Sequence, residues 1–177
     1  SGSSYPYRFV SACGRLWFCA ERFANGRELW ALETAVETYC TAKASSCGTL
    51  PTMAWSGFPS AAATSGFVVR AENAKAGKAG LLLYTDAGRA NAPFQGGTLC
   101  LDTPLRRSVA VVDAAGTPPA CDGVLALDLS AFAAGLLGGN PLPSLRLPGT
   151  VIDCQFWGRD TPGVSLLSDA LEYTVCP

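Results

Sequence analysis

Nineteen glycines and twelve prolines cut this 177-residue chain into short runs, none long enough to suit a long helix. Both residues punctuate regular structure, Gly by its freedom at positive φ and Pro by its missing N–H. The longest apolar stretches, such as 81–84, are strand-sized and fall far short of the ~18 residues a membrane-crossing helix needs. Between the breaks the chain is rich in Val, Leu, Thr and aromatic residues, which suit a pleated, half-buried surface. Strands are expected at 15–23, 27–36, 67–72, 80–85, 97–102, 108–112, 124–129, 150–158 and 170–176. One short helix is expected at 131–134, with Ser130 as N-cap and Gly135 as its stop. It is too short to organise a domain. Many short strands with frequent turn signals read as an all-β, antiparallel β-sandwich, jelly-roll or Ig-like, with a barrel as the alternative closure.

Cysteine usage adds a second constraint. Eight cysteines stand at 13, 19, 40, 47, 100, 121, 154 and 176, spread over the whole chain and with no CxxC pair. That pattern argues for a disulfide-stapled fold in an oxidising compartment rather than for metal or redox chemistry. Eight cysteines allow 105 connectivities. Local spacing selects Cys13–Cys19, Cys40–Cys47, Cys100–Cys121 and Cys154–Cys176. All eight are expected to be oxidised, and two or more free thiols would sink the extracellular reading. Ser1 is not an initiator methionine, so the chain reads as a mature fragment, with Ser1-Gly2-Ser3-Ser4 as a cloning remnant.

Charge narrows the function classes. Only 15% of residues are charged against 49% hydrophobic, and the formal net charge is −1. Such a chain is not a disordered tail, and its 13 scattered basic residues lack the electrostatic footprint of a nucleic-acid binder. Histidine is absent. That excludes Ser-His-Asp and Cys-His catalysis, His-ligated zinc and a histidine pH switch.

Two hairpins follow from turn chemistry. Asn25-Gly26 suits a type I′ turn, whose two central residues need positive φ. Folding there pairs Phe23 with Glu28 and Glu21 with Trp30, making 14–36 a two-stranded ribbon. Pro162-Gly163 breaks the chain between the last two strands. With Cys154 and Cys176 as cross-strand neighbours, Trp157 falls opposite Tyr173 and Phe156 opposite Thr174.

The stretch from Tyr39 onward resembles a domain found repeatedly, often near the C-terminus, in large secreted or surface proteins of planctomycetes and myxobacteria. The matching pieces are Tyr39-Cys40-Thr41-Ala42-Lys43 with Ser46; Gly88-Arg89 followed by Pro93-Phe94-Gln95-Gly96-Gly97-Thr98-Leu99-Cys100; and Cys121-Asp122-Gly123. Gln155-Phe156-Trp157-Gly158-Arg159-Asp160 and Leu167-Ser168-Asp169-Ala170-Leu171 complete the set. The resemblance implies an extracellular, modular, non-catalytic domain at 39–177. The N-terminal piece is similar to a strand pair of ELW-type repeats of extracellular β-propeller-like arrays. Gly14-Arg15-Leu16-Trp17-Phe18 and Gly26-Arg27-Glu28-Leu29-Trp30 carry that likeness, and Ala31-Leu32-Glu33-Thr34 departs from the usual Ser-Asp-Gly-Thr. Residues 1–38 thus read as a degenerate terminal repeat, an N-terminal β-hairpin that cannot bury its own apolar face. It packs on the sandwich in cis or pairs with another chain.

Candidate chemistry is sparse. Asp153, Asp160 and Asp169 fall in one region and supply a carboxylate pair of glycosidase type if suitably spaced. The plainer reading is an Arg159–Asp160 ion pair and an Asx-type turn at Ser168-Asp169. No DxDxDG-like spacing marks a calcium loop, so structural calcium rests only on scattered Asp and backbone oxygens, and no other cofactor is expected. Lys43, Lys75 and Lys78 stand in no SxxK pattern. Gly96-Gly97 precedes a strand, so it reads as a tight turn rather than a phosphate loop. Among the aromatics, Trp55 and Phe58 in the 51–59 loop are candidates for an exposed sugar-stacking pair. Trp157 is another, with Arg159 and Asp160 as polar partners, unless it packs in the core against Tyr173. No catalytic residue is assigned. The sequence favours a non-catalytic structural or adhesive module at the cell surface, contacting copies of itself or neighbouring surface-protein domains, its N-terminal strands able to build filaments. A carbohydrate-binding module with polysaccharide as partner comes second and a hydrolase third; no nucleic acid or membrane span is expected.

Overall fold

A computed structural model describes residues 5–12, 15–22, 26–33, 36–112 and 116–177. The described residues form thirteen strands. They are β1 (Tyr5–Ala12), β2 (Arg15–Arg22), β3 (Gly26–Glu33), β4 (Val36–Tyr39), β5 (Thr52–Ser56), β6 (Val68–Ala74) and β7 (Ala79–Thr85). Then follow β8 (Arg89–Phe94), β9 (Gly97–Leu101), β10 (Arg106–Val112), β11 (Gly123–Asp128), β12 (Val151–Arg159) and β13 (Ser165–Thr174). A five-residue helix, α1 (Leu129–Ala133), follows β11. Its first turn is capped by Asp128, whose Oδ1 accepts from Ala131 N at 3.0 Å, and not by Ser130. No helix among the described residues is long and apolar enough to cross a membrane.

The fold is all-β and its sheets are antiparallel. A five-stranded sheet in the order β10-β7-β12-β13-β4 faces a three-stranded sheet β11-β6-β5. Alternation along the strands builds the core between them. Leu82 and Tyr84 of β7, Ile152, Cys154 and Phe156 of β12 and Leu171 and Tyr173 of β13 point inward. From the other sheet come Met53, Val69, Ala71, Leu125 and Leu127. Phe67 and Tyr173 meet edge-on, their ring centroids 5.0 Å apart. The opposite face of the five-stranded sheet is covered by the β8–β9 hairpin, which traps a second apolar cluster of Leu83, Leu99, Cys100, Leu101 and Ala170. The large sheet is therefore buried on both faces. That explains the unbroken apolar run in β7, whose alternate residues serve two cores.

Four strands were not expected from the sequence, namely β1, β4, β5 and β8. With β1 added, the N-terminal hairpin becomes a three-stranded sheet β1-β2-β3. Strand β4 pairs with β13, so the sandwich already begins at Val36. The expected hairpin registers are also corrected. Arg22 pairs with Gly26 and Phe18 with Trp30. Three residues thus lie between the paired ends, and Gly26 closes the loop at φ +73°. At the C-terminal hairpin Trp157 pairs with Leu167 and Ile152 with Tyr173. The turn at 160–164 is where Pro162-Gly163 placed it, but the expected register fails. Cys154 pairs with Leu171 rather than Cys176, and Thr174 meets Val151 rather than Phe156; a bulge opposite Phe156 adds one further residue of slip.

The disulfides join layers rather than sequence neighbours. Cys40 bridges Cys100 and Cys47 bridges Cys121, across 60 and 74 residues. Local pairing fails because Cys40–Cys100 ties the end of β4 to the covering hairpin, while Cys47–Cys121 ties two loops. Closing loops this long removes chain entropy worth roughly 4 kcal/mol each. Cys176 is also disulfide-bonded. Cys19 and Cys154 are free, which overturns Cys13–Cys19 and Cys154–Cys176 and the expectation of complete oxidation. Cys13 lies outside the described residues. Cys154 is wholly buried between the sheets and acts there as a small apolar side chain. The two free thiols meet the count set against an extracellular location. The cysteines therefore support only the coarser statement that two long-range bridges point to an oxidising, non-cytoplasmic setting.

Candidate functional site

One strand organises the chemistry of the molecule. Because β12 sends Ile152, Cys154 and Phe156 to the main core, Asp153, Gln155, Trp157 and Arg159 line up on its other face. Gln155 is buried at the middle of this row and fully engaged. Its Nε2 donates to Thr98 O at 3.0 Å and Ser168 O at 2.7 Å, and its Oε1 accepts from Cys100 N at 3.1 Å. It pins the β8–β9 hairpin onto the sheet and divides the row into two ends.

At one end an open cleft of about 490 Å³ is lined by Lys78, Gln95 and the hairpin residues Trp157 to Ser165. The Gly158–Gly80 pairing brings Lys78, just before β7, to the same end as Arg159. Gln95 and Gly96 form the two-residue turn of the covering hairpin, with φ of +47° and +77°. Positive φ at both positions is the type I′ condition. The turn read from Gly96-Gly97 is thus present. For Gln95 this conformation is strained, and the residue is held on both sides. Its Oε1 accepts from Trp157 Nε1 at 3.0 Å, and its carbonyl accepts from Lys43 Nζ at 2.7 Å. The half-exposed indole is thereby fixed as one wall of the cleft.

Asp160 lies at the base, 1% exposed. Its two oxygens accept from Ser46 N and Ser46 Oγ, each at 2.6 Å. The Arg159–Asp160 ion pair anticipated from sequence is replaced by this loop anchor. Arg159 and Lys78 have no acidic partner among the described residues.

At the other end lies a compact acid cluster. Arg89 of β8 contacts Glu37 of β4 and reaches Glu172 of β13 at 2.6 Å, its guanidinium 4.2 Å over the Tyr39 ring. Asp153 is buried directly opposite Glu172, and neither of its oxygens makes a hydrogen bond of ordinary geometry, although the Tyr39 hydroxyl and the Glu172 carboxyl lie near enough to act on its ionisation. Tyr39 turns its hydroxyl to Cys100 O at 3.1 Å instead. Burial, with the Glu172 carboxylate adding to it, pushes the Asp153 carboxyl above its ordinary range. The hydrogen bond from Arg89 holds Glu172 below its own. Asp169, the third acid anticipated for a carboxylate pair, is re-aimed by the β13 bulge and accepts from Met53 N at 2.6 Å. Asp153, Asp160 and Asp169 therefore share no pocket.

Trp157, Arg159 and Asp160 all line the cleft, but Asp160, buried with both oxygens held by Ser46, is not the polar partner anticipated for a sugar hydroxyl. The first two face the cleft, and Trp157 stands away from Tyr173. Trp55 and Phe58 are elsewhere. Trp55 is on β5, packed partly against the main core, and Phe58 lies half-buried with Arg15 4.4 Å above its ring. Lys78 and Gln95 were named in the sequence but not assigned to this site. They reach the cleft through the β7–β12 pairing and the covering hairpin. Among the described residues no group of three His, Cys, Asp or Glu side chains is arranged to hold a metal ion. Comparison with protein-family models, curated proteins and solved structures gave no match.

Proposed function

We propose that the chain is a non-catalytic extracellular module whose work is to make structural contacts, joined through its N-terminal sheet to a second copy of itself. The carrying observation is the apolar surface left on two edge strands. Among the described residues β1 and β3 each pair only with β2. On β1, Phe9 and Val10 are 56% and 59% exposed; on β3, Leu29 and Trp30 are 68% and 41% exposed. Phe18 carries an aromatic row across the sheet, 5.7 Å from Phe9 and paired with Trp30. Apolar edge strands of this kind template strand addition. Addition of β1 of one copy to β3 of the next is head-to-tail and propagates. The long-range disulfides support a non-cytoplasmic setting, and the resemblance to surface-protein domains supports an extracellular one. Sedimentation velocity over a concentration series tests the reading. The chain should associate, and Leu29→Lys or Val10→Lys should hold it monomeric. A wild type that is monomeric at every concentration refutes self-association.

A second reading is carbohydrate binding, favoured by the cleft beside Trp157. A rigid, half-exposed indole flanked by an amide and hydroxyls suits a sugar ring, whose apolar face stacks while its hydroxyls find polar partners. Retention on polysaccharide affinity gels that is lost in Trp157→Ala tests it.

A further inference from the structure

We propose that the cleft selects an anionic glycan, a sugar ring bearing a carboxylate or sulfate, with Lys78 and Arg159 holding the charge against the Trp157 face. This rests on the carbohydrate-binding reading and names its ligand class. The lining carries one carboxylate, Asp160, and Ser46 takes both of its oxygens. Lys78 and Arg159 keep their charges unpaired by any described acid. Lys43 adds a third cation beside the cleft, its Nζ 3.4 Å from Ser165 Oγ and 2.7 Å from the Gln95 carbonyl. Cations thus outnumber the acid at this cleft although the chain's net charge is −1. A neutral sugar's oxygens could accept hydrogen bonds from these cations but would leave their charge uncompensated, whereas an anionic substituent makes the stronger charge-assisted bonds. The volume of about 490 Å³ lies within the usual range for small-ligand sites. The indole is already immobilised by Gln95, so stacking costs little ordering.

Affinity electrophoresis of the intact chain through gels containing polygalacturonate, or the same polymer fully methyl-esterified, separates the possibilities. Esterification removes the charge and leaves the ring. The acidic polymer should retard the protein at least about tenfold more strongly than the ester. Lys78→Ala and Arg159→Ala should each weaken that retardation about tenfold and leave weak retardation by the ester unchanged. Both residues lie at the surface, so these variants test the cleft without disturbing the core. Arg107→Ala, on β10 and outside the cleft, should behave as wild type. Equal retardation by both polymers overturns the charge selection and leaves carbohydrate binding standing. No retardation by either overturns both. An Arg107→Ala loss equal to that of Arg159→Ala assigns the effect to overall charge and overturns the site.

Discussion

Asp153 and Glu172 face each other directly across the β12–β13 pair, and they respond to the fold in opposite directions. Asp153 is buried without a hydrogen bond of ordinary geometry and is raised, whereas Glu172 is held by Arg89 and lowered. A raised carboxyl binds its proton more tightly folded than unfolded. Its contribution is fully present below the unfolded value of about 3.9 and is lost as pH rises through the folded value. Glu172 works the other way, contributing above its unfolded value of about 4.3 and losing that as pH falls through its lowered one. Asp153→Asn should therefore gain stability relative to the parent as pH climbs above about 4, the difference levelling off once Asp153 has ionised. Thermal melts across acid to neutral pH measure it. A difference that does not change with pH would show that Asp153 titrates normally.

Gln155 is the polar pin between the large sheet and its covering hairpin. Gln155→Leu keeps the volume but strands the Cys100 N–H and the Thr98 and Ser168 carbonyls in a dry site. The expected loss is roughly 3 kcal/mol, about 6–12 °C in Tm for a chain of this size. Calorimetry on the purified variant checks it, and an unchanged Tm would mean that water replaces the amide.

The two free thiols should separate by reactivity. Burial pushes the Cys154 thiol far above its usual range, so its nucleophilic thiolate is scarce in the folded chain. Cys19, half-buried on β2, is within reach of reagent. Peptide mapping after iodoacetamide should find Cys19 alkylated under native conditions and Cys154 only after denaturation, with Cys40, Cys47, Cys100 and Cys121 unmodified without reductant. Rapid native alkylation of Cys154 would contradict the packing between the sheets.

Much of the strand content was legible because it follows local pattern. The 80–85 run was found because its residues are apolar on both faces. Strand β8 escaped because Arg89, Asn91 and Pro93 read as loop; it is an edge strand whose ladder tolerates them. Strand β5 was hidden between Pro51, Gly57 and Pro59. Registers and disulfides failed for a shared reason. Local spacing measures how cheaply a loop closes, while Cys40–Cys100 and Cys47–Cys121 join parts that meet only once the layers are stacked. The cleft was half legible in the same sense. Trp157, Arg159 and Asp160 are neighbours in sequence, whereas Lys78 and Gln95 arrive from separate strands. The Asp160–Ser46 anchor spans 114 residues and left no local trace.

The central claim is that β1 and β3 are working edges that another copy covers. Amide hydrogen exchange as a function of protein concentration addresses those edges directly. If copies add strand to strand, protection at 5–12 and 26–33 should rise with concentration, while the β12–β13 amides stay equally protected throughout. Exchange in β1 and β3 that is fast and independent of concentration would contradict the claim.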